Sequence, residues 1–150
     1  MPAMHPLSSS ESPSLLTRSL GVAGLLPFIA ASAAVALGPP AWQDTALRAL
    51  IAYGAVIVSF LGGIHWGSPT SAAHDGARLW GVVPSLLAWP LLLLPSSRLA
   101  LIGLAASLAL CWAVDRARFP AMGLSALLPL RTLLSSVAIL SCLVAAAFAS

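Results

Sequence analysis

Tyr53-Gly54-Ala55-Val56-Ile57-Val58-Ser59-Phe60-Leu61-Gly62-Gly63-Ile64-His65-Trp66-Gly67 is the stretch on which the reading of this chain turns. It is apolar almost throughout, holds four glycines and ends in a histidine–tryptophan pair, inside a sequence that is otherwise mostly Leu, Ala and Val. On a helix, Ala55, Ser59, Gly63 and Gly67 recur every four residues and form one strip of small side chains. Gly62 widens that strip and Gly54 extends it. In lipid no hydrophobic force drives helices together, so a small-residue strip acts by letting another backbone approach closely and gain dispersion contacts. A glycine costs about 1 kcal/mol of helix propensity relative to alanine, so four in one segment call for a packing or conformational reason. The strip is expected to be a packing seam within the monomer; a dimer seam and a gating hinge are the lesser readings.

Working outward, the composition requires a membrane. Of the 150 residues 59% are hydrophobic and 7% charged, against about a quarter charged in soluble domains. The apolar residues fall into several runs long enough to cross about 30 Å of hydrocarbon at 1.5 Å per helical residue. A β-barrel would instead show short alternating segments. The fold class is therefore all-α, a polytopic membrane bundle of about five transmembrane helices. The pI near 9.7 comes from seven Arg with no Lys, scattered singly between the apolar runs. They form no stripe that could follow a phosphate backbone, so nucleic acid is not an expected partner.

In chain order, residues 1–14 are Ser- and Pro-rich and are expected to be a flexible tail; residues 15–150 are expected to form a single bundle domain. The first run, Leu15 to Leu37, contains Pro27, which frees a backbone acceptor and bends the helix, so a neighbouring helix must satisfy that acceptor. Arg18 with Ala31-Ser32-Ala33 has features of a cleavable signal peptide, but the length of the run and Pro27 favour a retained span. Gly38 to Asp44 reads as a turn with an interfacial Trp42, and Asp44 as a helix N-cap. The second span runs from about Thr45 to Gly67, the third from about Ala77 to Leu94, the fourth from about Leu99 to Val114, and the fifth from Leu130 to Ala149. Residues 68–76 are the clearest loop, and Asp115-Arg116-Ala117-Arg118-Phe119-Pro120 reads as the stop of the fourth span.

Five spans put the termini on opposite faces. One face collects Arg18, Arg78, Arg116, Arg118 and Arg131, the other only Arg48 and Arg98, so the positive-inside bias sets the N-terminus inside and the C-terminus outside. Cys111 and Cys142 then differ in depth by on the order of 10 Å, too far for a disulfide, which makes them free, buried thiols.

His65 is the leading candidate for chemistry, because an intramembrane imidazole is costly and suits a proton carrier or a metal or haem ligand. Set against this, its place in the last turn beside Trp66 favours an interfacial histidine bonding a loop carbonyl. His5, His65 and His74 all fall on the inner side, yet none is spaced for a metal motif, so no metal and no cofactor is expected. His74 and Asp75 are a candidate acid–base pair, more simply read as a wet loop. Tyr53, about 12 Å from the outer end, needs a hydroxyl partner on an adjoining helix. No Asp, Glu, Lys or Arg falls in the middle of any span, so the usual groups of an ion-coupled transporter are absent from this reading.

The run A-Y-G-A-V-I-V-S-F-L-G-G-I-H-W-G, followed by W-G-V-V-P-S-L-L-A-W and a late L-P-L-R-T-L-L, resembles the family catalogued as domain of unknown function 3429. The resemblance begins at G-V-A-G-L-L-P-F in the first span and implies a compact bundle of about five helices in a bacterial inner membrane, or alternatively the mitochondrial inner membrane. It implies no activity. It carries over Tyr53, Ser59, Gly62, Gly63, His65, Trp66 and Gly67, and more weakly Trp80, Pro84 and Arg131. Ala126, Leu127 and Leu128 stand where relatives place aromatic residues.

Three function classes follow. A non-catalytic scaffold, assembly factor or accessory subunit, with the lipid bilayer and other membrane proteins or a second copy as partners, fits the small-residue strip best. A small channel or transporter would route a polar path past Tyr53, Ser59, Ser85 and His65 between proline-broken helices. An intramembrane enzyme lacks a nucleophile and base at a defined spacing.

Overall fold

The computed structural model describes residues 14–66 and 75–149, with the side chains of Asp75 and Ala77 excepted. Residues 1–13 of the expected tail, Gly67 and His74 lie outside the described residues, while Ser14 caps the first helix. Every regular element described is helical: α1 (Leu15–Ala23), α2 (Leu26–Leu37), α3 (Pro40–Gly63), α4 (Asp75–Leu91), α5 (Ser97–Arg118), a 3-10 turn (Ser125–Leu127) and α6 (Leu128–Phe148). Four segments are long and apolar enough to cross a membrane: Leu15–Leu37, Pro40–Gly63, Ser97–Arg118 and Ser125–Phe148. Helix α4 is the fifth leg, 17 residues long with Pro84 and Pro90 inside it. The chain is an all-α membrane helix bundle.

The exterior is what marks lipid as its solvent. Leu20, Leu37, Phe60, Leu79, Leu86, Leu93 and Leu140 are all more than half exposed, a surface that water would not tolerate at this extent. The interior is close-packed around Leu50, Val58, Leu101, Leu104 and Leu108, all at most 1% exposed. In α3 the buried positions Leu47, Leu50, Ile51, Gly54, Ala55, Val58, Leu61 and Gly62 advance by three and four, the stripe of a helix with one packed face. Helix α3 is central, packing on α2, α4 and α5, while α6 packs on α5, α2 and α1.

Helices α1 and α2 are one span broken ahead of Pro27. The turn tightens there, with Leu25 N–H donating to Val22 O at 3.0 Å. Tyr53 Oη, reaching across from α3, donates to Gly24 O at 2.9 Å, and its ring meets Phe28 edge-on at 5.1 Å.

Three expectations need correction. Helix α3 begins at Pro40, where a proline's missing N–H costs nothing, so Asp44 lies inside the helix and is not its cap. Helix α5 continues through Asp115 to Arg118; the stop is Phe119-Pro120, followed by Gly123 at φ 72°, a left-handed conformation that glycine adopts without strain. The packing seam takes in Gly54, Ala55 and Gly62 of the expected strip but not Gly63. A Cβ on Gly63 would meet nothing within 4 Å, whereas one on Gly62 would lie 2.5 Å from Gly81 O and 3.1 Å from Pro84. Gly62 stands on the packed face with Val58 and Leu61, and Gly63, turned about 100° further round the helix, falls outside it. The close approach is Gly62 against Gly81, where α3 crosses α4.

Candidate functional site

The core stripe of α3, extended by one more step of three, reaches His65. The stripe of α5 runs Leu101, Leu104, Leu108, Cys111 and Asp115, and that of α6 begins at Arg131 and continues through Ser135, Ala138 and Cys142. Because α3 and α5 end where α6 begins, the three stripes place their ionisable residues at the same end of the bundle. His65 and Asp115 are each 1% exposed and Arg131 is 9% exposed.

The geometry closes on Asp115. Its Oδ1 accepts from His65 Nε2 at 2.8 Å, and its Oδ2 accepts from Arg131 Nε at 2.7 Å. Arg131 Nη1 then donates to Ser135 Oγ at 2.6 Å, one turn along α6. An ionised carboxylate only accepts, so His65 Nε2 carries the proton in this bond. With a neutral imidazole, the Asp115 and Arg131 charges cancel and the cluster adds no net charge to the interior. Two buried polar atoms have no partner among the described residues: His65 Nδ1 and Arg131 Nη2. Phe119, 2% exposed, lies 6.4 Å from the His65 ring, centroid to centroid. A second link between α5 and α6, Trp112 Nε1 donating to Thr132 Oγ1 at 3.0 Å, sits one turn away, and Arg116 stacks 5.6 Å over the Trp112 ring.

At the opposite end the polar contacts are simpler. Arg98 Nε and Nη2 donate to Ala149 O at 3.1 and 2.6 Å, and Gln43 Nε2 donates to Phe148 O at 3.1 Å.

Of the residues singled out from the sequence, His65 and Arg131 come together; Tyr53 and Ser59 do not join them. Ser59 Oγ bonds back to Ala55 O at 2.9 Å in its own helix, and Tyr53 serves the α1–α2 break. Gly54 packs on Leu104 and Ala55 is buried, while Trp66 is 58% exposed. Two expectations are overturned. His65 is a core residue held by a carboxylate, not an interfacial group bonding a loop carbonyl. Asp115, read as a helix stop, and Arg131, counted as a loop charge, are buried inside the bundle because each is the other's partner. Removing Arg131 from the tally of loop charges leaves Arg18, Arg78, Arg116 and Arg118 against Arg48 and Arg98. The signal for Asp115 was in the sequence, as the next step of an apolar three-and-four pattern in α5.

Among the described residues no group of three or more His, Cys, Asp and Glu is placed to hold a metal ion. Cys111 and Cys142 are free and buried.

Comparison with known proteins matches residues 14–147 to the family model described as protein of unknown function (DUF3429). The chain belongs to the DUF3429 family. It is also similar to transmembrane protein 69 of Xenopus tropicalis, at 39% identity over 79 residues, covering 49% of this chain and 31% of that relative. The match thus spans less than a third of the relative's length. No solved structure matches. For this DUF3429 chain, then, the buried triad is a feature read from the bundle itself.

Proposed function

We propose that this DUF3429 protein is a non-catalytic scaffold, assembly factor or accessory subunit, in which the His65–Asp115–Arg131 cluster clasps α3, α5 and α6 so that the bundle presents a fixed apolar surface to other membrane helices. The observation that carries this reading is that both carboxylate oxygens of Asp115 are engaged by groups from two different helices. Withdrawing charges from water costs several kcal/mol per ion even after relaxation. Such a cluster persists where it specifies one register among near-equivalent packings, and an interior of Leu and Ala offers many of those. Tyr53 donates to Gly24 O at the α1–α2 break and Ser59 to Ala55 O in its own helix, which argues against a polar path through the bundle. The clasp end is assigned to the cytoplasmic side of a bacterial inner membrane, or the matrix side in a mitochondrion, from the four-to-two Arg asymmetry.

One observation favours a second reading, a small proton carrier or channel. His65 Nδ1 is bare while Asp115 orients the ring, the arrangement in which an imidazole accepts a proton.

The test is a deletion strain complemented with His65→Ala or Asp115→Asn, scored separately for membrane abundance and for growth or partner co-purification. A clasp requires abundance and complementation to fall together. Normal abundance with lost complementation, accompanied by lost proton flux in proteoliposomes, would transfer the assignment to the carrier.

A further inference from the structure

Beside the clasp, a cleft of about 180 Å³ opens between the α1–α2 break, α3 and α6. It is several times the roughly 30 Å³ that a water occupies in the liquid. The cleft exists because the span breaks at Gly24: α1 leans onto α6 while α2 stays in the core, and Gly21 and Gly24 contribute no side chain to fill the gap. Its floor includes Phe28, and its lip is formed by Leu20 and Phe60, which are 64% and 65% exposed, so it opens sideways toward lipid. Its surface is almost wholly apolar, with Arg131 and Ser135 the polar residues among those that line it. Arg131 has spent Nε on Asp115 and Nη1 on Ser135, and its Nη2 is buried with no partner among the described residues, so that a small turn of the guanidinium is needed to present it to the cleft.

We propose that this cleft is a binding site for one phospholipid acyl chain, whose ester carbonyl accepts a hydrogen bond from Arg131 Nη2. The depth agrees: α6 has 21 residues, about 31 Å at 1.5 Å per residue, and Arg131 lies about 4.5 Å inside its start, close to where the hydrocarbon core gives way to the interfacial layer. The charge agrees as well. Asp115 and Arg131 already cancel, so a neutral carbonyl supplies the missing acceptor without adding charge to an apolar wall, whereas a carboxylate would bring one in uncompensated. An apolar chain fits the remaining surface, which is lined by Leu20, Leu25, Phe28, Ile57, Phe60 and Leu134.

The full-length protein is reconstituted in nanodiscs of phosphatidylethanolamine and phosphatidylglycerol carrying a trace of an acyl-chain diazirine phospholipid, irradiated, and mapped by peptide mass spectrometry. Labelling is expected to concentrate on peptides spanning residues 20–28 and 134–138, at least about fivefold above the lipid-facing positions around Leu140. A diether analogue with the same headgroup and chains is expected to label those peptides at least about fivefold less, because it lacks the carbonyl. Leu20→Trp, at an exposed position that the fold does not depend on, is expected to reduce cleft labelling while leaving that around Leu140 unchanged. Uniform labelling over the whole apolar exterior, equal yields from ester and diether, or displacement of the label by free fatty acid in preference to phospholipid would each overturn the assignment.

Discussion

His65 Nε2 and Asp115 Oδ1 lie 2.8 Å apart across 50 positions of sequence, both side chains 1% exposed. Arg131 holds the other carboxylate oxygen at 2.7 Å, so α3, α5 and α6 meet at one acid. A buried ion pair differs from a surface one in what its removal leaves behind. At the surface either ion returns to water; here a lone ion stays in hydrocarbon or protein.

Asp115→Leu is therefore expected to destabilise the bundle by about 3–5 kcal/mol, because Arg131 is left as an uncompensated buried charge. The double variant Asp115→Leu/Arg131→Leu should recover most of that loss, since an apolar replacement of the whole pair is often close to neutral. Unfolding of the purified protein in mixed micelles with increasing dodecyl sulfate measures both. A double variant no more stable than the single one would mean that the ions contribute through something other than each other.

Tyr53→Phe removes the donor to Gly24 O while keeping the ring against Phe28. The expected loss is about 0.5–1.5 kcal/mol, the range for one hydrogen bond. It should be smaller in a Pro27→Ala background, where loss of the ring lets the helix run through and brings Phe28 N–H within reach of Gly24 O. The same unfolding assay, run as a four-variant cycle, gives the coupling; strict additivity would disconnect Tyr53 from the break.

The membrane class, the five legs and the need for a partner at the proline break were legible in the sequence, since hydrocarbon thickness and the missing proline N–H act on local stretches of chain. The clasp was legible only in part. His65 stood out by its type, but Asp115 and Arg131 sit near span ends next to other charges, where helix-stop and loop readings compete with burial. What separates Asp115 from Arg116 is phase: it continues the Leu108–Cys111 step of α5 and Arg116 does not. The glycine seam was likewise legible only in part: Gly54 and Gly62 face neighbouring helices and Gly63 does not. Small residues four apart define a face, but nothing local says whether the facing surface is a helix or lipid, and no described residue lies against Gly63.

Cys111 and Cys142, 1% and 0% exposed, are both free and on different helices. Neither should react with a membrane-permeant maleimide in the native bilayer over minutes, and both should react after denaturation in dodecyl sulfate, giving a mass shift of two adducts. One adduct or none after denaturation without reductant would point to a disulfide or another modification and contradict the packing around α5 and α6.

Gly62→Ala and Gly63→Ala make the sharpest pair, because the two substitutions are chemically identical and adjacent. At Gly62 the new methyl would lie 2.5 Å from Gly81 O and 3.1 Å from two Pro84 carbons. Neither the backbone carbonyl nor the proline ring can swing aside, so α3 and α4 must separate. The expected cost is about 1–3 kcal/mol, the range for overpacking. At Gly63 the methyl meets nothing within 4 Å, and alanine's better helix propensity should make the change neutral or stabilising by up to about 1 kcal/mol. The unfolding assay ranks the two directly. If Gly63→Ala proved the more damaging, a second copy or another protein would have to be packed against that face, and the monomer's α3–α4 crossing would not be the reason the glycines are there.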